Sequence, residues 1–321
     1  MVAAAPHKAG HAAEQLAATL PPLLVAAERV ASTVVQGVHG RRRVGSGETF
    51  WQYRRYQSGD SATAVDWRQS AKSQKIFVRE NEWEAAQSVW LWRDGSASMD
   101  YSSGAGAERK QDRADLLLLA LASLLLRGGE HVGLYGRDSN ATGGRATLTR
   151  LAARLQNGPD GAAQNTPATP TSQTGLPEPG RLPRFAQLVL FGDFLAPLAQ
   201  IEVMVKGFAD QGAHGHLLQI LDPAEEDLPF QGRTEFEGLE GEGTILIGRV
   251  ESLRDVYLRR MADRRLGLID ICRRVGWGFT QHRTDRQPQT ALLGLYNALG
   301  NELDNSLAQI LDNNPDGGAG S

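Results

Sequence analysis

The chain has almost no cysteine. Cys272 stands alone among 321 residues, which excludes an intramolecular disulfide framework and any metal site built from several thiolates. There is no run of about 18 apolar residues, so no membrane-spanning helix is expected. Neither sign of charge dominates. The formal net charge is -3, without the global basic character of a dedicated nucleic-acid binder. The Walker A pattern does not occur, so the chain is no P-loop ATPase itself. Gly95-Ser96-Ala97-Ser98 lacks the closing glycine of a nucleophile elbow. An Asp-x-Asp phosphatase would need a carboxylate where Ser96 stands. No signal peptide is evident, because His7, Lys8, His11 and Glu14 interrupt the apolar residues. A cytoplasmic address is expected.

What is present is ordinary globular composition, 41% apolar and 22% charged, with length enough for a sizeable core. Residues 1–12 read as a frayed tail. Residues 13–36 are Ala-, Leu- and Val-rich with helical spacing, split at Pro21-Pro22, where a new helix can begin. With the tail they make an N-terminal helical arm, 1–37. Residues 38–86 form a strand-rich segment with a turn at Ser58-Gly59-Asp60. Its alternating Glu80, Glu82 and Glu84 suggest one face of a strand.

From Ser88 the rhythm becomes strand–helix–strand. Strands are expected at Ser88–Arg93, His131–Gly136, Ala186–Gly192, His216–Leu221, Gly243–Gly248 and Gly278–His282. Helices are expected at Glu108–Arg127, Thr147–Gln156, Leu198–Gln211, Val250 to about Val275, and Gln289–Leu303. Apolar strands alternating with helices imply an α/β fold, a mostly parallel sheet covered on both faces. This main domain spans 87–305. Residues 157–183, rich in Gly, Pro, Thr, Gln and Asn, read as a flexible insert, and 306–321 as a mobile tail.

The chemistry concentrates at Asp94-Gly95-Ser96-Ala97-Ser98. An apolar strand runs into Asp94, and ligands of open parallel sheets bind beyond such strand ends. One carboxylate and two hydroxyls are hard oxygen donors suited to Mg²⁺ or another divalent cation. A second apolar strand, Leu188 to Gly192, runs into Asp193. If the two strands are neighbours, Asp94 and Asp193 flank one site. The reading requires that the two loops meet at a common rim and that no basic group fills the gap between them.

Asp-x-Ser-x-Ser after an apolar strand, with a later apolar strand ending in Asp, resembles the metal-ion-dependent adhesion site of von Willebrand factor A domains. The upstream stretch narrows the likeness. Gly47-Glu48-Thr49-Phe50, Arg54-Arg55-Tyr56, Ser58-Gly59-Asp60, Val65-Asp66-Trp67-Arg68, Ser70-Ala71-Lys72 and Val78-Arg79-Glu80 resemble the signature of the bacterial domain-of-unknown-function 58 family. Asp222-Pro223, Leu228-Pro229-Phe230 and Gly232-Arg233 fit its later region. The resemblance covers roughly residues 35–285. It implies a von Willebrand factor A-like domain in which Asp94, Ser96, Ser98 and Asp193 hold a metal. Adhesion sites add a threonine from a further loop. Here alignment puts that position near Ala146, with Thr142 and Thr147 as the neighbouring candidates. The resemblance also implies a partner, a MoxR-type AAA+ ATPase or its client protein. The function expected is a non-enzymatic, metal-dependent protein-binding adaptor whose partner offers an acidic side chain.

Competing readings come from other classes. A divalent ion beside two carboxylates could support hydrolysis of phosphate esters. Residues 41–79 carry nine Arg or Lys against three acids, with Trp51, Tyr53, Tyr56, Trp67 and Phe77 interleaved. That pattern suits nucleic-acid stacking and phosphate contact. It equally suits a structural segment in which Arg54, Arg55 and Arg68 pair with Asp60, Asp66 and the Glu80–Glu84 face, which is the expectation taken here. His214 and His216 share a strand face and could bind zinc, but no third ligand is near, and a structural role is expected. Cys272 is expected to be a packed thiol.

Overall fold

The computed structural model describes residues 22–37, 50–55, 65, 67–72, 75–81, 87–104, 108–156, 175–183, 186–239, 241 and 243–312. The expected frayed N-terminus, the helical stretch before Pro21, the turn at Ser58-Gly59-Asp60, Glu82 and Glu84, most of the insert, and the last nine residues lie outside this set.

The described residues begin with α1 (Pro22–Gly37), β1 (Phe50–Arg55), the single turn α2 (Trp67–Ser70) and β2 (Phe77–Asn81). β1 and β2 pair antiparallel, with Arg54 opposite Val78. Then come β3 (Ser88–Arg93), α3 (Lys110–Arg127), β4 (His131–Leu134), α4 (Arg145–Gln156), β5 (Gln187–Gly192), α5 (Leu198–Ala209) and β6 (His214–Leu221). A short helix α6 (Pro223–Asp227) leads to β7 (Thr234–Glu237) and β8 (Thr244–Ile247). The chain closes with α7 (Arg254–Arg274), β9 (Gly278–Arg283) and α8 (Pro288–Asp312).

Five strands form one parallel sheet in the order β4-β3-β5-β6-β9. Two sequence expectations change. Gly243–Gly248 does not join this sheet: its strand, β8, pairs antiparallel with β7 in a separate hairpin. Its apolar run resembles a buried strand, and only pairing distinguishes the two. The last helix runs to Asp312, beyond the expected Leu303 and into the stretch read as a tail.

Both faces of the sheet are covered, which is why its strands read as continuous apolar runs. Val89, Leu91, Val189, Phe191, Leu218 and Ile220 face one layer built from α1, α3, α4 and α8. The alternate residues Trp90, Leu188, Leu190 and Leu217 face α5 and α7. The leucine-rich α3 lies in the middle of the first layer, with Leu117 to Ala122 fully buried. Burial on nearly all sides explains its lack of a polar stripe. Among the described residues, no helix is long and apolar enough to cross a membrane.

The topology sets the site. From β3 the chain moves outward to β4, then returns to place β5 on the other side of β3. The C-terminal ends of β3 and β5 therefore flank the point where strand order reverses, the crevice where open α/β sheets bind ligands.

Candidate functional site

Asp94 and Asp193 follow β3 and β5, and the sheet ladder extends into the first, since the Asp94 N–H donates to the Phe191 carbonyl at 2.8 Å. The turn is built by Asp94 itself. Its Oδ1 accepts the Ser96 N–H at 2.8 Å, which folds the loop back and brings the serines over the strand end. Ser96 Oγ lies 3.0 Å from Ser98 Oγ. Ser98 Oγ donates to Asp193 Oδ2 at 2.7 Å. The two loops thus meet, joined by a relay of hydroxyls.

Asp193 is held from several sides. Its Oδ1 accepts the Leu195 N–H at 3.1 Å. Its carbonyl accepts Gln219 Nε2 at 2.9 Å. The next residue, Phe194, takes a left-handed conformation at φ 48°, which costs of order 1 kcal/mol for a non-glycine residue. Arg264 of α7 clamps this turn by donating to the carbonyls of Phe194 and Ala196.

A basic group is present. Lys110, the first residue of α3, is fully buried. Its Nζ donates to Asp193 Oδ2 at 2.9 Å and to Glu225 Oε1 at 2.6 Å, and it lies 5.9 Å from the centre of the Tyr101 ring, within cation–π range. A cation at a helix N-terminus opposes the macrodipole, so the two carboxylates must outweigh that as well. Burial alone would lower the ammonium pKa; Asp193 and Glu225 raise it above the usual lysine value instead. Burial pushes the Glu225 carboxyl up, against Lys110, which pulls it down. Glu225 is set by a capping box. Its Oε2 accepts the Asp222 N–H at 2.9 Å, while Asp222 Oδ1 accepts the Ala224 N–H at 2.8 Å. Because Glu225 follows β6, Lys110 sits on the β6 side of Asp193. The Asp94 side is spanned by the serine hydroxyls.

Thr142 and Thr147 stand elsewhere. Their hydroxyls are 2.8 Å apart, and Thr142 bridges to Val132. Val132 is level with Val89, five residues before Asp94, so this pair lies about 16 Å down the strand at ~3.3 Å per residue. Ala146 is in the same turn, at the start of α4. The structure instead brings a different segment to the corner. A Cβ on Gly175 would lie 3.0 Å from Asp94 Oδ2 and 3.4 Å from Ser96 Oγ, and Gly175 has φ +61°. Position and conformation both demand glycine there. Leu176, next in line, is anchored among the residues of the α5–α7 layer. This cover leaves Asp94 at 0%, Asp193 at 3% and Ser96 at 9% exposure.

Among the described residues no group of three or more His, Cys, Asp or Glu side chains is placed to hold a metal ion; what the corner offers is hard oxygens of the kind a divalent ion takes. Neighbouring oxygens of an octahedral Mg²⁺ lie about 3 Å apart at metal–oxygen distances of 2.0–2.1 Å, the separation of Ser96 Oγ and Ser98 Oγ. Two carboxylates, Asp193 and Glu225, hold the Lys110 ammonium. The ion would share Asp193 with Lys110.

The histidines serve packing. His216 Nε2 lies 2.8 Å from Thr280 Oγ1, and burial pushes its pKa down to about 4. Cys272 is buried, and burial pushes its thiol up to about 12. Lys110 and Glu225 escaped sequence reasoning. Lys110 reads as one charge in a polar helix start, and only Asp222-x-x-Glu225, a capping-box spacing, marked Glu225.

Comparison with known proteins gives a consistent but functionally silent picture. A family model described as "Protein of unknown function DUF58" matches residues 52–266. The uncharacterized proteins Rv1480 of Mycobacterium tuberculosis and Mb1516 of Mycobacterium bovis are each 27% identical over 286 residues, covering 85% of this chain and 86% of theirs. Among solved structures, the conserved hypothetical protein BatB of Bacteroides thetaiotaomicron aligns with a TM-score of 0.36 at 14% identity, covering 68% of this chain and 100% of that one. An uncharacterized membrane spanning protein of Vibrio fischeri aligns with a TM-score of 0.17 at 14% identity, over 66% of this chain and 99% of that one.

Proposed function

This chain belongs to the DUF58 family, and we propose that it is a non-enzymatic protein-binding adaptor with a von Willebrand factor A-like domain. Its docking point is the corner of Asp94, Ser96, Ser98 and Asp193. The observation that carries the reading is the contact of Ser96 with Ser98 and of Ser98 with Asp193 across the reversal of strand order. Asp94, Ser96 and Ser98 would hold Mg²⁺ or another divalent cation, and Asp193 would complete the charge balance with Lys110. When bound, the ion supplies an open coordination position for an acidic side chain of the partner. The partner implied by the family resemblance is a MoxR-type AAA+ ATPase or its client. Access requires the Gly175–Pro177 segment to lift from the rim.

The surroundings support binding over catalysis. Ser98 donates to a carboxylate already paired with Lys110, which is a poor base for activating a hydroxyl. Among the described residues no imidazole bonds to Ser96 or Ser98: His216 is engaged by Thr280, and His282 by Arg113 at 3.4 Å.

The test is a pull-down from the native source in Mg²⁺ and in EDTA, with Asp94→Ala alongside and calorimetric Mg²⁺ titration of both proteins. A partner held in Mg²⁺ and lost in EDTA and in the variant is expected. A partner list indifferent to EDTA would overturn the metal bridge. Mg²⁺-dependent phosphatase turnover abolished by Asp94→Ala would replace the adaptor with a hydrolase.

A further inference from the structure

Residues 175–183 cross the rim of the main sheet without forming helix or strand. They are held at two places. Leu176 is buried and packs in the apolar cluster that contains Met204 and Phe208 of α5. Further along, the hydroxyl of Tyr135, the residue after β4, donates to the Glu178 carbonyl at 2.9 Å. Gly180 presses on the same hydroxyl, where a Cβ would clash. Phe208 backs the Tyr135 ring edge-on, with ring centres 5.3 Å apart. Between the two holds, Pro177 fixes φ and Pro179 does the same, so the piece is stiff and moves as a unit. It does not lie flat on α5. A groove of about 500 Å³ separates Pro177 and Pro179 from the outer face of that helix, and Val203 on its wall stays 73% exposed. An irregular segment held at two points over open space belongs to the low-stability end of a fold.

The end of this segment closes the corner. The Gly175 backbone lies so near Asp94 Oδ2 and Ser96 Oγ that even a methyl group there would touch both. An incoming carboxylate has no room while Gly175 is in place. We propose that residues 175–183 are an autoinhibitory strap: with Leu176 seated, Gly175 shuts the Asp94–Asp193 corner against an acidic side chain, and withdrawal of Leu176 opens it. The inference rests on the reading of that corner as a docking point. Only the open state takes a ligand, so apparent affinity is reduced by the fraction of molecules that are open. Weakening either hold raises that fraction and tightens binding by the same factor.

Hydrogen exchange of the full chain, read by mass spectrometry, measures opening with no ligand present, and calorimetric Mg²⁺ titration measures the ion separately. Leu176→Ser removes the apolar anchor and is expected to speed exchange across Gly95–Met99 by about tenfold or more, while the amides of α3 keep their wild-type rates. Mg²⁺ should then bind about tenfold more tightly or better. Tyr135→Phe keeps the ring and loses one hydrogen bond, so it should speed the same loop by about threefold to tenfold. It replaces Leu176→Ser if that variant does not fold. Unchanged exchange across Gly95–Met99 in the folded variants would overturn the strap, whatever Mg²⁺ does. Acceleration that extends equally through α3 would also overturn it, because the whole domain would then be loosening. Faster exchange confined to the corner, with no Mg²⁺ binding in any of the proteins, would support the strap and remove the ion from the docking reading.

Discussion

Replacing Lys110 with methionine keeps the stem length and removes the charge. In the wild type the ammonium is wholly buried between Asp193 at 2.9 Å and Glu225 at 2.6 Å. The variant leaves both carboxylates facing an apolar group. Breaking a buried ion pair from one side costs about 3–5 kcal/mol. Here the lower end applies, because Asp193 keeps its bonds from Ser98 and Leu195 and Glu225 keeps the Asp222 N–H. At roughly 2–4 °C per kcal/mol, a loss of about 3 kcal/mol lowers the melting temperature by roughly 6–12 °C. Adding Glu225→Gln to Lys110→Met should recover part of that loss, since only Asp193 is then left as a buried carboxylate without its cation. The pH profile gives an independent readout. The native Lys110 pKa lies above its unfolded value of about 10.5. Its stabilisation is therefore complete below that value and lost as pH rises through the native pKa. In Lys110→Met this alkaline loss should disappear. Urea unfolding across pH checks both points. A loss below about 1 kcal/mol, the range of an exposed ion pair, would refute the view that Lys110 braces the corner.

A Cβ at position 278 would lie 2.1 Å from His216 Nδ1, so Gly278→Ala should cost about 1–3 kcal/mol through overpacking. Gly207→Ala in α5, where a Cβ meets nothing within 4 Å, should be neutral or stabilising by about 0.5–1 kcal/mol. Equal urea midpoints for the two would contradict the packing. Burial holds His216 and His282 down near about 4, whereas unfolded imidazoles titrate near 6.5. Their contribution is therefore present above pH 6.5 and lost as pH falls toward 4, about 2 kcal/mol each by pH 5. Urea midpoints between pH 7.5 and 5 should fall less steeply in His216→Gln than in wild type, and an unchanged slope would remove His216 from the account. The Cys272 thiol, pushed up to about 12 by burial, should resist a disulfide-exchange reagent at pH 8 and react promptly in denaturant; fast reaction in the native protein would place it at the surface.

Sequence alone determined the strands of the main sheet and the corner residues. Ser88–Arg93 and Leu188–Gly192 announce themselves because strands buried on both faces must be apolar throughout, and the Asp that ends each marks the rim. The pattern of alternation with helices determined a parallel sheet. Tertiary structure decided what stands next to what. That β5 lies beside β3 and brings Ser98 to Asp193 follows from chain reversal in space, which no local spacing encodes. Lys110 and Glu225 are 115 positions apart, and their pairing is visible only once α3 begins against the end of β6. The Gly175 cover and the displacement of Thr142 toward the far end of β4 are likewise matters of where loops return. The Thr244–Ile247 strand shows the limit most plainly. Its side chains match a core strand, but its place in an exposed hairpin was set by the partner available to its backbone hydrogen bonds. Apolarity records that a segment can be buried, while the geometry of the chain settles whether it is, and against what; Ile245 and Leu246 stay 61% and 51% exposed.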